Sequence, residues 1–359
     1  MSSLDGAMSP AGGSPVPSDS GSAALCGSPT RARIAVTAAM RSNRRKLVAL
    51  GVIVLACVAG YLLLDVNFAN ERLTAYAFKI RVPKLLAMLI AAFAIGGASL
   101  VFQSIIRNTI VTPCLLGMNS MYTLVHTTVY FVAGMGSVLA ANDNLAFAVD
   151  LLIMGVVATF VYGYLFKVTN YNVLYVLLIG TVLSSLFGSI QSTLTRVMDP
   201  NEYDALLQTL VASFSNVNTE IMVFAALMLA AICVLLRRDL ALLDVITLGK
   251  DQAINLGVDY DRVIRRLLLG VVLAIAVATA MVGPISFLGL IIANLARQLL
   301  RTYRHGQLVA GSVLFGMVVL IFGQLLVEHV FAYQVPVSVF ITVFGGAYFL
   351  YLLLRAKRM

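Results

Sequence analysis

Charge is scarce in this sequence. Only 11% of its 359 residues are Asp, Glu, Lys or Arg, while 60% are apolar. A soluble domain carries roughly a quarter charged residues, so that class is excluded, and a mean hydropathy of +0.94 agrees. Cysteine is sparse and unpatterned. Cys26, Cys57, Cys114 and Cys233 show no C-x-x-C spacing, which argues against a disulfide framework or a thiolate metal site and leaves small apolar packing residues. A phosphate-binding loop is missing too. Gly249-Lys250 is followed by Asp251 and lacks the glycine five places upstream, so no G-x-x-x-x-G-K-[ST] pattern lets this chain hydrolyse nucleotide.

The apolar runs are almost free of ionisable groups. His126 alone lies centrally; Asp150, Arg297, Glu328 and His329 fall near run ends. A transporter driven by protons or voltage ordinarily keeps buried charges, despite a cost of about 2.5–3.5 kcal/mol each on insertion scales. An intramembrane hydrolase needs paired carboxylates, an activated serine or a histidine-rich metal set, and none occurs at helical spacing. His126 reads first as a histidine hydrogen-bonded inside a bundle, and only second as a ligand.

Continuous apolar runs fill the remainder, which excludes the alternating pattern of transmembrane strands. The expected fold is an all-α polytopic membrane protein with about ten transmembrane helices. The runs are 47–64, 84–105, 114–135, 145–166, 173–195, 219–236, 263–282, 287–300, 307–328 and 335–354. Residues 1–40 differ: 21 of the first 30 are Ser, Gly, Pro or Ala, which predicts a disordered extension ahead of a membrane-embedded body at 41–359. No signal peptide is expected there, because the first long apolar run starts only at Leu47. Met40-Arg-Ser-Asn-Arg-Arg-Lys46 resembles an ordinary start, so translation from Met40 is an expectation that intact mass would test.

Charge sets the orientation. With both termini in the cytoplasm, eighteen Lys and Arg residues from Arg41 onward fall in cytoplasmic connections, against five, Arg72, Lys79, Arg81, Lys84 and Arg196, on the opposite face. This rule accounts for the net charge of +9 without nucleic acid. One outer connection, 199–215, predicts a short amphipathic helix that either rests on the membrane or caps a pathway. Arg81-Val-Pro-Lys-Leu-Leu86 and Arg262-Val-Ile-Arg-Arg-Leu-Leu268 open spans of opposite direction, as an inverted five-helix repeat requires.

The cytoplasmic stretch 249–262 is a polar, helix-forming island between long spans. Ala253, Ile254, Leu256 and Val258 are expected to form an apolar patch broken at Gly257, while Lys250 and Asp251 stay wet. Such a knob fits a groove on a soluble partner; an amphipathic helix on lipid headgroups is the plainer alternative. A chain that cannot hydrolyse nucleotide must take power from outside if it transports uphill.

Six ordered motifs then become informative. They are Arg81-Val-Pro-Lys84; Phe102-Gln-Ser-Ile-Ile-Arg-Asn-Thr-Ile-Val-Thr-Pro113 with Leu116-Gly117; Leu178-Ile-Gly180; Leu256-Gly-Val258; Gly283-Pro-Ile-Ser-Phe-Leu-Gly289; and Val335-Pro336 before Gly345-Gly-Ala-Tyr-Phe349. From Leu47 onward the chain resembles the permease subunits of iron-siderophore and vitamin B12 ABC importers, the FecCD-like family, and within it the permeases for iron–catecholate siderophores.

The resemblance implies a pair of like or unlike ten-helix permeases in the bacterial inner membrane. Two ABC ATPase subunits, which use ATP and Mg, attach below, and a periplasmic or lipid-anchored binding protein docks above; this chain binds no cofactor of its own. It implies that Arg81 and Lys84 grip acidic residues of the binding protein, with lysine's point charge replacing an arginine fork. A further arginine expected near the last span is absent, and Val327, Glu328 and His329 stand there. Asn108 and Ile110 fall at the cytoplasmic gate, with Thr109 replacing the usual proline. Residues 250–261 match the coupling helices. Gly180, Ser184 and Ser185 line the pathway or simply permit close helix packing. An ion-gradient transporter and a non-transporting membrane subunit are the rival readings.

Overall fold

A computed structural model describes residues 29–64, 70–134, 142–169, 173–214, 219–331 and 335–356. Residues 1–28 of the expected extension, with Lys357 and Arg358, lie outside these. The chain divides at Arg44/Arg45 into two units. The first, as far as it is described, is helical from Pro29, so residues 29–40 of the expected extension are helix.

The second unit holds the bundle. Its helices, in chain order, are α1 (Pro29–Leu63, entered from the first unit), α2 (Glu71–Ile106), α3 (Met118–Ala133), α4 (Asp143–Val168), α5 (Val173–Val197), α6 (Pro200–Leu210), α7 (Thr219–Ala241), α8 (Leu243–Ile246), α9 (Lys250–Asn255), α10 (Tyr260–Val282), α11 (Leu288–Leu300), α12 (His305–His329) and α13 (Val337–Ala356). No strand occurs among the described residues. Each of the ten expected spans coincides with a helix. Among the described residues, seven helices are long and apolar enough to cross a membrane. At 13 residues, α11 reaches only about 20 Å.

Two helices form the centre. In their most apolar windows α2 and α10 bury 72% of positions, against 17% for α1 and α5. Small residues let α2 be approached closely: a Cβ on Gly96 would stand 3.1 Å from the Ser312 carbonyl oxygen of α12, and one on Gly289 of α11 would stand 2.0 Å from Ser99 Oγ.

Two boundaries differ from expectation. α2 begins at Glu71 rather than near Lys84, because the Asn70 side chain caps the Arg72 N–H and no breaker follows before Pro83, which sits inside the helix. The third span starts late. Pro113–Leu116 forms one 3-10 turn, and Gly117 at φ 92 interrupts the helix before Met118. At the turn into α11, Phe287 adopts φ 60, and a Cβ on Gly345 of α13 would stand 2.4 Å from the Phe287 Cβ.

Candidate functional site

At one end of the bundle the segment expected at the gate, residues 107–112, meets the polar island. α2 stops where Arg107 turns left-handed at φ 54, and the Asn108 N–H bonds back to Gln103 O at 3.2 Å. Asn108 Oδ1 then accepts from the Ile110 N–H at 2.9 Å, a side-chain turn that stiffens the backbone where Thr109 replaces proline. Asn294 of α11 donates to Thr109 O at 2.9 Å, and Arg297 donates to Ser104 Oγ at 2.8 Å. Asn294 and Arg297 thus hold the segment, and the motif reading did not single out either for this.

The island folds as helix, glycine, helix. α9 spans Lys250–Asn255, Gly257 turns at φ 82, and Asp259 caps α10 through the Arg262 N–H. The expected apolar patch divides. Ile254 and Leu256 are 51% and 63% exposed, while Ala253 is buried and Val258 packs against the core. Lys250 bonds both oxygens of Asp261 at 3.1 and 3.2 Å, and Asp251 is exposed. A Cβ on Gly249, itself at φ 125, would lie 2.9 Å from Arg107 Nη2, so gate and island are in contact. Between them is a cavity of about 280 Å³ lined by Arg107, Lys250, Tyr260 and apolar side chains.

Gly180 and Ser184 of α5 pack on the 3-10 turn. A Cβ on Gly180 would stand 3.0 Å from Leu116 Cα, and one on Gly117 would meet Ser184 Oγ at 2.7 Å. Ser185 instead is exposed, in a ribbon of Thr181, Ser185, Ser189 and Thr193 along one face. Each hydroxyl donates to a carbonyl three or four residues back, at 2.8–3.2 Å. The i, i+4 spacing of hydroxyls was the available signal. A hydroxylated stripe on an exposed face of an apolar helix suits water or another subunit better than lipid tails.

At the other end, Arg81 donates to the carbonyls of Tyr61, Leu62 and Leu64, satisfying the end of α1. Lys84 is buried 3.7 Å from Glu328, which also accepts from Tyr61 Oη at 3.0 Å and Gln324 Nε2 at 2.9 Å. The two are therefore not a matched pair of exposed cations, and Glu328 occupies the lobe where an arginine was expected.

The connection expected on the outside contains the helix α6, begun by Asp199 capping the Asn201 N–H with Pro200 in the first turn. It leads into a stretch tied to the end of α10 by Ser213 N–H to Val282 O at 3.0 Å and to α13 by Ser338 Oγ to Ala212 O at 3.2 Å. His126 is satisfied inside the bundle, between Asp150 and Thr209 of α6. Among the described residues no three His, Cys, Asp or Glu side chains gather to hold a metal.

The comparisons with known proteins fit this arrangement. Residues 45–355 match the FecCD transport family. The chain is similar to the petrobactin import system permease protein YclO of Bacillus subtilis, 36% identical over 88% of this chain and 99% of that one. It is also similar to the petrobactin permease FatC of Bacillus anthracis (30% identical; 78% of this chain, 79% of that one) and the ferric enterobactin permease FepG of Escherichia coli (26%; 81% and 86%). Its fold matches a solved structure of a metal-chelate type ABC transporter in an inward-facing conformation, with a TM-score of 0.73, 24% identity, and coverage of 87% of this chain and 99% of the other.

Proposed function

Because the chain belongs to the FecCD transport family, we propose that it is the permease subunit of an ATP-driven importer that carries an iron(III)-siderophore complex across the bacterial inner membrane. It is a transport subunit and not an enzyme; ATP hydrolysis belongs to separate subunits. One observation carries the reading: the match to importer permeases runs through all ten apolar helices and nearly end to end with the petrobactin permease. The petrobactin and enterobactin permeases among its relatives support a siderophore cargo.

The mechanism is alternating access. A loaded binding protein docks at the Arg81 end, where its carboxylate must compete with Glu328 for Lys84. ATPase subunits grip the exposed Ile254, Leu256 and Asp251, and motion of α9 about Gly257 reaches the gate through Gly249 and Arg107. Asn108 and Ile110 then narrow or widen the inner mouth. A second permease, like or unlike, completes the pathway, with Ser185 and its hydroxylated neighbours facing it. Gly180 and Ser184 set how closely α5 approaches the 3-10 turn. The charge asymmetry supports cytoplasmic termini, and residues 41–359 are the permease body.

The test is uptake of a ferric siderophore into liposomes holding the assembled importer and its binding protein. Uptake that requires ATP and ignores a collapsed proton gradient is expected. Uptake that survives ATP depletion but fails without the gradient would make this a secondary transporter; binding without flux would make it a non-transporting subunit.

A further inference from the structure

The cavity of about 280 Å³ between the segment 107–112 and the island has a wall of two kinds. Its polar members stand at helix ends: Arg107 follows α2, Lys250 begins α9 and Tyr260 begins α10. Its apolar members include Ile106, Phe166, Ile264 and Leu268, all buried. Tyr260, Ile264 and Leu268 recur every four residues, so they share a face of α10 and extend the wall about 12 Å along its axis. Polar groups thus gather at the helix ends, and the apolar wall continues inward from them.

The charges at the mouth do not cancel. Lys250 Nζ donates to both oxygens of Asp261, at 3.1 and 3.2 Å, which neutralises that pair and leaves one ammonium proton over. No described residue forms an ion pair or a hydrogen bond with the Arg107 side chain, so its five guanidinium protons are left over too. One positive charge is therefore in excess. A phosphodiester carries one negative charge and accepts from guanidinium and ammonium donors alike. Free phosphate would suit the mouth and leave the apolar wall uncovered. A fatty chain alone would cover the wall and leave Arg107 unmatched. A phospholipid does both, and a zwitterionic one brings its own cation to a site that already has one too many.

We propose that this cavity binds an anionic phospholipid of the bilayer, its phosphate between Arg107 and Lys250 and the start of one acyl chain along Ile264 and Leu268. The cavity is too small for the whole molecule, so the second chain stays in the bilayer. Basic pockets between transmembrane helices at the cytoplasmic face take anionic headgroups in this way. Bound there, the lipid bridges the segment 107–112 and the island, two parts of the chain that otherwise meet through Arg107 and Gly249. The inference rests on the orientation in the importer reading, which puts these helix ends at the cytoplasmic face, and on nothing about cargo or ATP.

The sequence holds no tryptophan, so Tyr260→Trp puts a single fluorophore in the cavity wall. The full-length variant is placed in bilayers of phosphatidylcholine with a minor fraction of one lipid brominated on its acyl chains. Brominated phosphatidylglycerol should occupy the site about fivefold more strongly than brominated phosphatidylcholine, as read from quenching. Adding Arg107→Gln should bring the two lipids to parity. Adding Arg237→Gln instead, at an exposed cation outside the cavity, should leave the preference intact. Equal quenching by the two lipids overturns the proposal, as does a preference that Arg237→Gln removes and Arg107→Gln does not. Inorganic phosphate that relieves the quenching makes this a free-anion site and overturns the lipid. A second measurement needs no variant: native mass spectra of the unaltered chain, released from detergent with both lipids present, should retain one phosphatidylglycerol in preference to phosphatidylcholine, and no preference overturns the site. Neither measurement uses ATPase, binding protein or cargo, so the lipid site and the transport reading fail separately.

Discussion

Lys84 Nζ lies 3.7 Å from Glu328 Oε1, with the two side chains only 10% and 5% exposed, so α2 and α12 are joined by a buried ion pair. Removing one partner strands the other charge. Lys84→Met should cost about 3–5 kcal/mol of stability, whereas Lys84→Met combined with Glu328→Leu should recover most of that loss. Thermal unfolding of the purified variants reads the difference. If the double variant is no better than the single one, the pair is not what makes Lys84 necessary.

Gly289 and Ser99 mark the closest approach of α11 to α2, since an added Cβ would stand 2.0 Å from Ser99 Oγ and 2.8 Å from its Cβ. Gly289→Ala should therefore destabilise by about 1–3 kcal/mol through overpacking. Ser99→Gly in the same chain should return part of it. Additive losses in the double variant would show that the two residues do not press on each other.

Asn294 is 6% exposed, and its amide holds the Thr109 carbonyl at 2.9 Å. Asn294→Leu frees the gate segment while keeping volume. The assembled importer should then hydrolyse ATP faster without loaded binding protein, by about two- to tenfold, and import less per ATP. Unchanged basal hydrolysis and coupling would separate this contact from gating.

Gly257 sits at φ 82 with no atom within 4 Å of an added Cβ, so the backbone alone resists substitution. Gly257→Val should tilt α9 and lower co-purification of the ATPase subunits several-fold, with insertion unchanged. Asp251→Arg, on an exposed face, should do the same through charge. Normal assembly and uptake in both would remove the island from the coupling role.

Much of this was legible in the sequence because periodicity and hydropathy are local properties. Every expected span became a helix, the 199–215 connection became α6, and His126 found partners inside the bundle. What remained hidden depends on which distant residues meet. Lys84 and Glu328 are far apart in the chain, and a lysine beside a proline in a span-opening motif gives no sign of a partner in α12. Thr209 and Asp150 likewise gave no sign of converging on His126. The island was foreseen as one apolar patch broken at Gly257 because four apolar residues in six suggest one; the short helix instead turns Ala253 inward and leaves Ile254 and Leu256 outside.

Phe287 holds a left-handed backbone that costs a non-glycine residue about 1–2 kcal/mol. Such a conformation persists only where its surroundings impose it, and the residue that crowds it, Gly345, belongs to α13, the last helix described. During synthesis the corner between α10 and α11 emerges long before its partner does. The surroundings that hold the turn are therefore incomplete until α13 has been made. The ribosome, in effect, leaves this corner to be completed by a helix it has yet to make.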